Sequence, residues 1–460
     1  MLSLHDTATG AVTPLELRDP GKVSMYVCGP TVYDLPHLGH GRFTLVFDVL
    51  RRYLLFSGLE VTYVSNITDI DDNIIGRANR EGRSEPEVAA EFEDRWWEAM
   101  DALGVLRPDE VPHATSFVDQ MIDTITELID RGVAYVIDEG VYLDVSKVPD
   151  YGLLAGQPLE SLRAGARVEA DEAKRSPLDF ALWKAAKPDE PAWDAPFGAG
   201  RPGWHTECVV MSLALLGEGF DLHGGGLDLK FPHHENERAQ SVALGRPFAR
   251  HWAHNGWVMV GGEKMSKSLN NFTSLTDLLE KSDGRAYRLL VLRSHYRAPV
   301  EVTQDTIADA ERGLDRLDAF ARRFELVSPE GPVRLDDGHE ADLEAVQRFV
   351  ALMDDDLQTP QALGLVFELV GAANSAADAG DQATARTLAS TVVLLCASMG
   401  LWLEGTATII DEGTRALATE RDAARAAKDF ERSDAIRDEL MAQGWIVEDT
   451  AQGTALHRAD

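Results

Sequence analysis

The sequence predicts an α/β fold: a parallel sheet interrupted by an insertion, then a helical bundle and a small terminal module. Near the N-terminus, Val23 to Val27 has the pattern of a buried strand, and a helical pattern from about Gly41 to Phe56 follows a loop that contains Gly29. A second strand, Val61 to Asn66, comes next, and helical stretches are predicted over roughly Asp72 to Leu103 and Phe117 to Arg131. This order is typical of a parallel, Rossmann-like layer in which the helix N-terminus faces a nucleotide.

Changes in composition divide the rest of the 460 residues. Pro- and Gly-rich text from Pro188 to Gly203 indicates an insertion, and apolar residues at helical spacing after Asp305 indicate a bundle. Segments Pro329 to Glu340 and Glu404 to Gly413 are predicted linkers. We therefore expect a sheet domain in two halves (1–133 and 204–304), an insertion (134–203), a helical bundle (305–403) and a terminal module (404–460).

Composition restricts the function classes. With 44 Lys and Arg against 77 Asp and Glu, the net charge is -33, so any binding of nucleic acid must use local basic clusters. The three cysteines are too few for a disulfide framework, which favours a reducing compartment, the cytoplasm. Neither a leader nor a membrane-spanning stretch is apparent, and we expect a monomer.

Two distant motifs carry the strongest signal. His37-Leu-Gly-His40 is predicted to lie at a helix start, and Lys264-Met-Ser-Lys267-Ser follows a glycine-rich turn. Two imidazoles at a helix N-terminus can donate to phosphate oxygens, Gly39 allows close approach of a nucleotide, and the lysines add mobile positive charge. Taken alone, each motif would also fit a helix-capping histidine or a solvated lysine loop.

A second constellation suggests a metal site. Two cysteines, one imidazole and one carboxylate, from Cys28, Cys208, His233 and Glu237, could bind zinc tetrahedrally, because four-residue spacing places the last two on one helix face. On that helix His234 and Glu235 should point elsewhere. The sequence leaves open the alternative that the cysteines are buried core residues, as we expect for Cys396.

These motifs belong to a longer series that resembles cysteinyl-tRNA synthetase, a family of class I aminoacyl-tRNA synthetases. The similarity covers the whole predicted catalytic region. In order, the motifs are Cys28-Gly-Pro-Thr-Val-Tyr-Asp34, His37-Leu-Gly-His40, Asn66-Ile-Thr-Asp-Ile-Asp-Asp72, Gly203-Trp-His205 to Cys208, His223-Gly-Gly-Gly226, Phe231 to Glu237 and the lysine loop.

The resemblance implies that L-cysteine is activated with ATP and Mg²⁺ and then transferred to tRNA(Cys). It implies one Zn²⁺ per chain, held by the four residues named above and bound by the substrate thiol. Because thiolate-ligated zinc discriminates thiol from hydroxyl at the first site, we expect no editing domain.

Further site residues are also implied by the resemblance. His37, His40, Lys264 and Lys267 would be the catalytic residues, and Gly39 would bind ATP together with both histidines and Lys267. The glycines at 224 to 226 and Asp228 would hold the adenosine. The lining of the cysteine pocket would include Gly29, Thr68, Trp204 and His205.

The terminal module is predicted to carry one basic helix, Arg421 to Leu440. It resembles the anticodon-binding end of the family, in which Arg425, Asp434 and Asp449 would contact unstacked bases. A solvated helix of mixed charge is the alternative reading. The family usually has a tryptophan shortly after the position of Gly453, whereas Ala455-Leu-His457 stands here.

Two rival functions are considered. A cysteine ligase of mycothiol biosynthesis would share the activation chemistry and pass cysteine to glucosaminyl-inositol, but the terminal module argues against it. A non-catalytic tRNA-binding paralogue would be expected to have lost histidines or lysines from the ATP motifs, and both motifs are intact.

Overall fold

A parallel sheet forms the centre of the catalytic region. The computed structural model describes residues 2–157, 174–264, 274–329, 331–405, 412–450 and 453–458. An antiparallel pair, β1 (Ser3–Asp6) and β2 (Ala11–Pro14), precedes the sheet. The sheet itself consists of β3 (Lys22–Val27), β4 (Glu60–Val64), β9 (Leu222–Gly226) and β10 (His251–Asn255). Its strands run parallel in the order β4-β3-β9-β10, which confirms the predicted α/β fold class.

The connections around this sheet create a crevice. Helix α1 (Leu38–Phe56) connects β3 to β4 on one side, whereas β9 lies on the other side of β3. Strand order therefore reverses between β3 and β9. In open α/β sheets, ligands bind at such a reversal, beyond the carboxyl ends of the strands.

Helix boundaries differ from the predicted ones where capping decides them. Helix α1 begins three residues before Gly41, because His37 and His40 satisfy the first backbone N–H groups. The stretch expected to be helical after Asp72 is broken at Gly82, which is left-handed (φ 65°). The resulting helices and the next one are α2 (Asp72–Glu81), α3 (Glu85–Ala102) and α4 (Val118–Asp130).

The predicted insertion contains an antiparallel sheet with its own apolar core. Its strands are β5 (Ala134–Ile137), β6 (Gly140–Leu143), β7 (Phe180–Ala185) and β8 (Gly200–Pro202), paired in that order. Val141, Leu143 and Leu182 are fully buried between this sheet and α4. The chain then returns to the central layer through α5 (Trp204–Leu216) and, after β9, through a turn at Lys230–His234 and α6 (Glu235–Ala243).

A second small sheet leads toward the lysine motif. It comprises β11 (Val258–Val260), β12 (Glu263–Lys264) and β13 (Val300–Glu301). Gly261 and Gly262 turn between β11 and β12 with positive φ, as the glycine-rich turn predicts. Helices α7 (Leu275–Leu279) and α8 (Gly284–Leu292) lie between β12 and β13 in the chain.

Helices dominate the C-terminal third. They are α9 (Gln304–Arg323), α10 (Leu343–Asp354), α11 (Thr359–Asp378), α12 (Gln382–Ser398), α13 (Glu412–Ala426) and α14 (Phe430–Ala442). The chain separates into two compact units, Met1–Asp315 with Pro329–Trp402, and Arg316–Ser328 with Leu403–Asp460. The five domain boundaries expected from the sequence stay a prediction. No helix in the described ranges has the length and apolarity needed to cross a membrane.

The prediction of one basic helix over Arg421 to Leu440 is wrong. Lys428 is left-handed (φ 62°), and the Asp429 side chain accepts from the N–H of Arg432 to begin α14. The spacing of residues typical of a helix continues across Lys428, so the sequence alone did not indicate the break there. The module closes with the hairpin β14 (Trp445–Thr450) and β15 (Gly453–Arg458), packed on Ile436 and Leu440.

A buried ionic cluster fixes α1. The Asp48 carboxylate accepts from Arg52 Nε (2.9 Å) and Arg288 Nη1 (2.6 Å), and all three side chains are buried. Burial alone would raise the pKa of Asp48, but the two cations outweigh it and lower the pKa. The cluster therefore stabilises the fold at neutral pH, and this contribution is lost only as pH falls below about 4.

We expect Asp48→Asn to destabilise the protein by about 3–5 kcal/mol at pH 7, because two guanidinium groups lose their counter-charge in the interior. Urea unfolding followed by circular dichroism measures this loss. The matched control is Glu368→Gln, which breaks an exposed pair with Arg348 and should leave the midpoint unchanged. Equal midpoints for the two variants would contradict the importance of this cluster.

Candidate active site

A cleft of about 400 Å³ opens at the carboxyl ends of β3, β9 and β10. It lies where the strand order reverses, which is the usual position of a ligand site in an open α/β sheet. Its walls include the predicted site residues Cys28, Gly29, His37, Gly39, His40, Trp204, Gly226 and Asp228. Phe43, Asn255 and Trp257, which the sequence did not single out, line it as well.

The structure brings the four predicted metal ligands together. Cys28 Sγ lies 3.7 Å from Cys208 Sγ, 3.6 Å from His233 Nε2 and 3.4 Å from Glu237 Oε1. His233 Nε2 and Glu237 Oε1 are 2.9 Å apart, and the four ligand atoms all lie within 4.8 Å of one another. All four side chains are buried.

The sulfur spacings fit a tetrahedral zinc ion. With Zn–S near 2.3 Å and Zn–N near 2.0 Å, two ligating sulfurs lie about 3.8 Å apart, and a sulfur and a nitrogen about 3.5 Å apart. The two measured sulfur pairs match these edges. Three elements supply the ligands, since Cys28 follows β3, Cys208 lies on α5, and His233 and Glu237 flank the start of α6.

The expectation for His234 is wrong, whereas that for Glu235 is confirmed. His234 Nε2 lies 3.4 Å from Cys28 Sγ, and a second group of possible ligands combines Cys28, His223, His234 and Glu237. His234 has helical dihedral angles (φ -65°, ψ -34°), and the Cys28 sulfur lies close enough to contact both this ring and that of the adjacent His233. Glu235 points away and accepts from the N–H of Leu154 (2.7 Å).

An outer layer of hydrogen bonds orients the ligands. His223 Nε2 lies 2.6 Å from Glu237 Oε2, and His205 Nδ1 lies 2.9 Å from His233 Nδ1. Outer partners of this kind fix the ring orientation and basicity of metal ligands. Trp204 stacks on the His233 ring, with centroids 4.0 Å apart.

Asn66 is a site residue that the sequence reasoning missed. Its Oδ1 accepts from Gly29 N (2.9 Å) and Tyr26 OH (3.1 Å) and lies 3.7 Å from Cys208 Sγ. A Cβ on Gly29 would stand 1.7 Å from the Asn66 carbonyl oxygen, so only glycine fits there. The signal was available, because Asn66 is a polar residue just beyond the carboxyl end of β4.

The cluster has the electrostatics of a cation site. A hydrogen bond from the Cys28 thiol lowers the pKa of Cys208 to about 6, so Cys208 is a thiolate at neutral pH. Burial opposes charge on His233 and Glu237, but Glu237 raises the pKa of His233 to about 10, and His223 and His233 together hold the pKa of Glu237 well below its usual range. The imidazolium thus balances the anionic ligands, and a cation binding here would displace its proton.

The first motif starts α1 as a reciprocal cap. His37 Nδ1 accepts from His40 N (3.1 Å), and His40 Nδ1 accepts from His37 N (3.3 Å), with the rings stacked 3.5 Å apart. Because both Nδ1 atoms are acceptors, the proton of each neutral ring is on Nε2. The two Nε2 atoms are therefore N–H donors at the positive end of a 19-residue helix that borders the cleft.

The remaining predicted site residues differ in how they are placed relative to the cleft. A Cβ on Gly224 would meet Phe47 at 2.3 Å and one on Gly225 would meet His234 at 2.9 Å, so these two glycines make room for protein side chains, whereas Gly226 lines the cleft. Thr68 is buried and donates to Glu207 Oε2 (2.8 Å). Lys264 ends β12, and Lys267 lies outside the described residues.

The predicted anticodon contacts lie in the terminal module. Arg425 belongs to α13, Asp434 is exposed on α14, and Asp449 belongs to β14. Their role stays a prediction.

Comparison with known proteins agrees with this geometry. Residues 14–312 match the family described as tRNA synthetases class I (C) catalytic domain, and residues 348–404 match the DALR domain. The chain is 48% identical to the cysteine–tRNA ligase of Alkalilimnicola ehrlichii and 46% identical to that of Halorhodospira halophila, in both cases over all of each chain. The chain belongs to the cysteine–tRNA ligase family. It is therefore an aminoacyl-tRNA synthetase, as the motifs predicted.

This member of the cysteine–tRNA ligase family has a fold similar to that of a more distant synthetase. The structure is similar to Mycobacterium tuberculosis methionyl-tRNA synthetase in complex with methionyl-adenylate, with a TM-score of 0.59 over 82% of this chain and 89% of the other. At 16% identity this similarity concerns the fold alone.

Proposed function

We propose that the protein activates L-cysteine with ATP to cysteinyl-adenylate and transfers the cysteinyl group to tRNA(Cys). The observation that carries this proposal is the convergence of Cys28, Cys208, His233 and Glu237 beside a cleft bordered by the paired histidines. The names of the full-length relatives support the same substrate.

Activation requires alignment of the reactants and stabilisation of charge on the phosphates. The cysteine carboxylate attacks the α-phosphorus, a P–O bond forms, and the bond to diphosphate breaks. The Nε2–H groups of His37 and His40 would donate to phosphate oxygens from the start of α1, where the helix dipole favours anions. Lys264 and Lys267 would add positive charge, and Mg²⁺ would accompany ATP.

The adenosine would lie at the ends of β9 and β10. Gly226 allows close approach of the nucleotide, and the Asp228 carboxylate would accept from the ribose hydroxyls, as acidic residues do in related nucleotide-binding layers. The cysteine would lie between Gly29 and Trp204, with Thr68 and His205 supporting the wall behind them.

Cys28, Cys208, His233 and Glu237 would hold one zinc ion. When bound, zinc supplies a soft coordination position that a thiolate fills far better than the hydroxyl of serine. His223 and His205 would hold the ligating carboxylate and imidazole in place. Rejection of serine and alanine would then take place at this first site without an editing domain.

Transfer to tRNA would involve the terminal module, with Arg425, Asp434 and Asp449 as candidate base contacts. The rival acceptor is glucosaminyl-inositol. Because the similarity to cysteine–tRNA ligases extends over the entire chain, including this module, tRNA is favoured.

Two assays test this function. Purified protein is expected to exchange pyrophosphate into ATP with cysteine, and at least about a thousandfold less efficiently with serine, since a thiol-specific site leaves its polar contact unmade. It should then charge tRNA that carries the cysteine anticodon and leave glucosaminyl-inositol unmodified. Charging with serine at a similar efficiency, or transfer only to the amino sugar, would contradict the proposal.

A further inference from the structure

Arg42 is a buried cation that pairs with no carboxylate in the part of the chain that the structure describes. It lies on α1, two residues after His40, and is 1% exposed. Its guanidinium donates to the backbone oxygens of Trp257 and Ala298 and to that of Tyr296 (3.3 Å). No acidic side chain of the described ranges pairs with it, whereas the equally buried Arg288 faces Asp48.

Its charge persists at neutral pH. Burial lowers the pKa of Arg42 to about 10, still well above physiological pH. A buried charge is costly unless it is compensated, and carbonyl dipoles alone compensate a cation only in part. This side chain therefore places positive potential inside the protein at a position where no carboxylate neutralises it directly.

Of the three acceptor residues, Trp257 lines the cleft, and the backbone of Tyr296 and Ala298 contacts its neighbour Gly256. Gly256 N donates to Tyr296 O (2.8 Å), and Val300 N donates to Trp257 O (3.0 Å), where β11 and β13 begin. A Cβ on Gly256 would stand 2.6 Å from Ala298 O, so the chains are in close contact. Gly256, Trp257 and Val258 line the cleft on this side.

His40 and Phe43 line the cleft from α1, on either side of Arg42 in sequence. Arg42 thus joins the helix that carries the paired histidines to the wall that precedes the lysine motif. A planar guanidinium can donate to several acceptors at once, which the single ammonium of lysine cannot reproduce in the same geometry.

We propose that Arg42 is a positioning residue for the nucleotide: it fixes the wall at Gly256, Trp257 and Val258 against α1 and supplies positive charge behind that wall for the polyphosphate. The inference rests on the proposed function, because it assumes that ATP occupies this cleft. It assigns a role outside both signature motifs.

The test compares Arg42→Lys and Arg42→Met with wild type in cysteine-dependent pyrophosphate exchange. Arg42→Lys should raise the KM for ATP about tenfold and Arg42→Met about a hundredfold, while the KM for cysteine changes less than about twofold. Arg288→Lys is the matched control, since it alters an equally buried arginine distant in sequence from the cleft residues. This control should lower the melting temperature and leave the KM for ATP unchanged.

A selective rise in the KM for ATP with partial rescue by lysine supports the role of Arg42. Equal rises for ATP and cysteine, or a KM for ATP in Arg42→Lys within about twofold of wild type, would overturn it. Should Arg42→Met fail to fold, Arg42→Lys decides alone. Absence of cysteine-dependent exchange in the wild type would instead contradict the proposed function, so the two failures are distinguishable.

Discussion

Cys208→Ser is expected to abolish zinc retention and to lower cysteine-dependent pyrophosphate exchange by a factor on the order of a thousand or more. Cys208 is the group whose pKa, about 6, makes it a thiolate at neutral pH. A serine hydroxyl stays protonated, and its shorter bond to Cβ draws the ligand atom away from the other three. The remaining side chains would offer one thiol, one imidazole and one carboxylate.

Zinc content by elemental analysis, together with exchange kinetics, measures this effect. Cys396→Ser is the matched control, because Cys396 is also fully buried but lies on α12 of the helical bundle. It should keep stoichiometric zinc and normal exchange even if the melting temperature falls. Normal exchange in Cys208→Ser, or equal loss of zinc in both variants, would contradict the metal site.

His40→Asn should reduce the rate of activation by about a hundredfold to a thousandfold, because it removes a donor aimed at developing phosphate charge. The substitution separates two roles of the ring. The Oδ1 of asparagine can replace Nδ1 as acceptor from His37 N, which keeps the helix cap, but asparagine has no group that reaches the Nε2 position. The maximal rate of exchange measures the loss, and circular dichroism checks that α1 is retained.

His40→Gln provides the complementary control. Glutamine at this third helical position can accept from His37 N through its side-chain oxygen and still presents an amide N–H, so it should keep the cap and recover part of the rate. A wild-type rate in His40→Asn would show that the imidazole serves only to start the helix, which was the alternative reading of this motif.

The fold followed from the sequence where one local rule decided the outcome. Buried strands with a helix between them predicted the parallel arrangement of β3 and β4, and Gly261 and Gly262 predicted the turn before β12. The breaks at Gly82 and Lys428 were missed, because apolar helical spacing continues across a single left-handed residue. Such a residue is a property of one backbone position and leaves the surrounding periodicity intact.

The residues of the site could be predicted only where a local feature of the sequence identified them. Residue types and motif resemblance selected Cys28, Cys208, His233 and Glu237, but the sequence could not show that they meet, since three separated elements supply them. His234 was misplaced because Cys28, which comes from a different element, contacts both adjacent histidines, and helical spacing alone does not show this. Asn66 and His223 were missed because they act through hydrogen bonds to other site residues, which the linear sequence does not display.

The burial and role of Arg42 could not be predicted from the sequence for a different reason. An arginine on an amphipathic helix is ordinarily a solvated residue, and nothing in the spacing of α1 marks this one as buried. Its role depends on carbonyl groups more than 200 residues away in the chain. Only the folded structure brings donor and acceptors together.

Zinc K-edge X-ray absorption of the purified protein, with and without substrate, tests the central claim most directly. Without an amino acid, the extended fine structure beyond the edge should show two sulfur ligands at about 2.3 Å, from Cys28 and Cys208. Addition of cysteine should add a third sulfur ligand. Serine should leave the sulfur shell unchanged. A protein that contains no zinc, or a shell that stays at two sulfurs with saturating cysteine, would contradict thiol coordination as the source of selectivity.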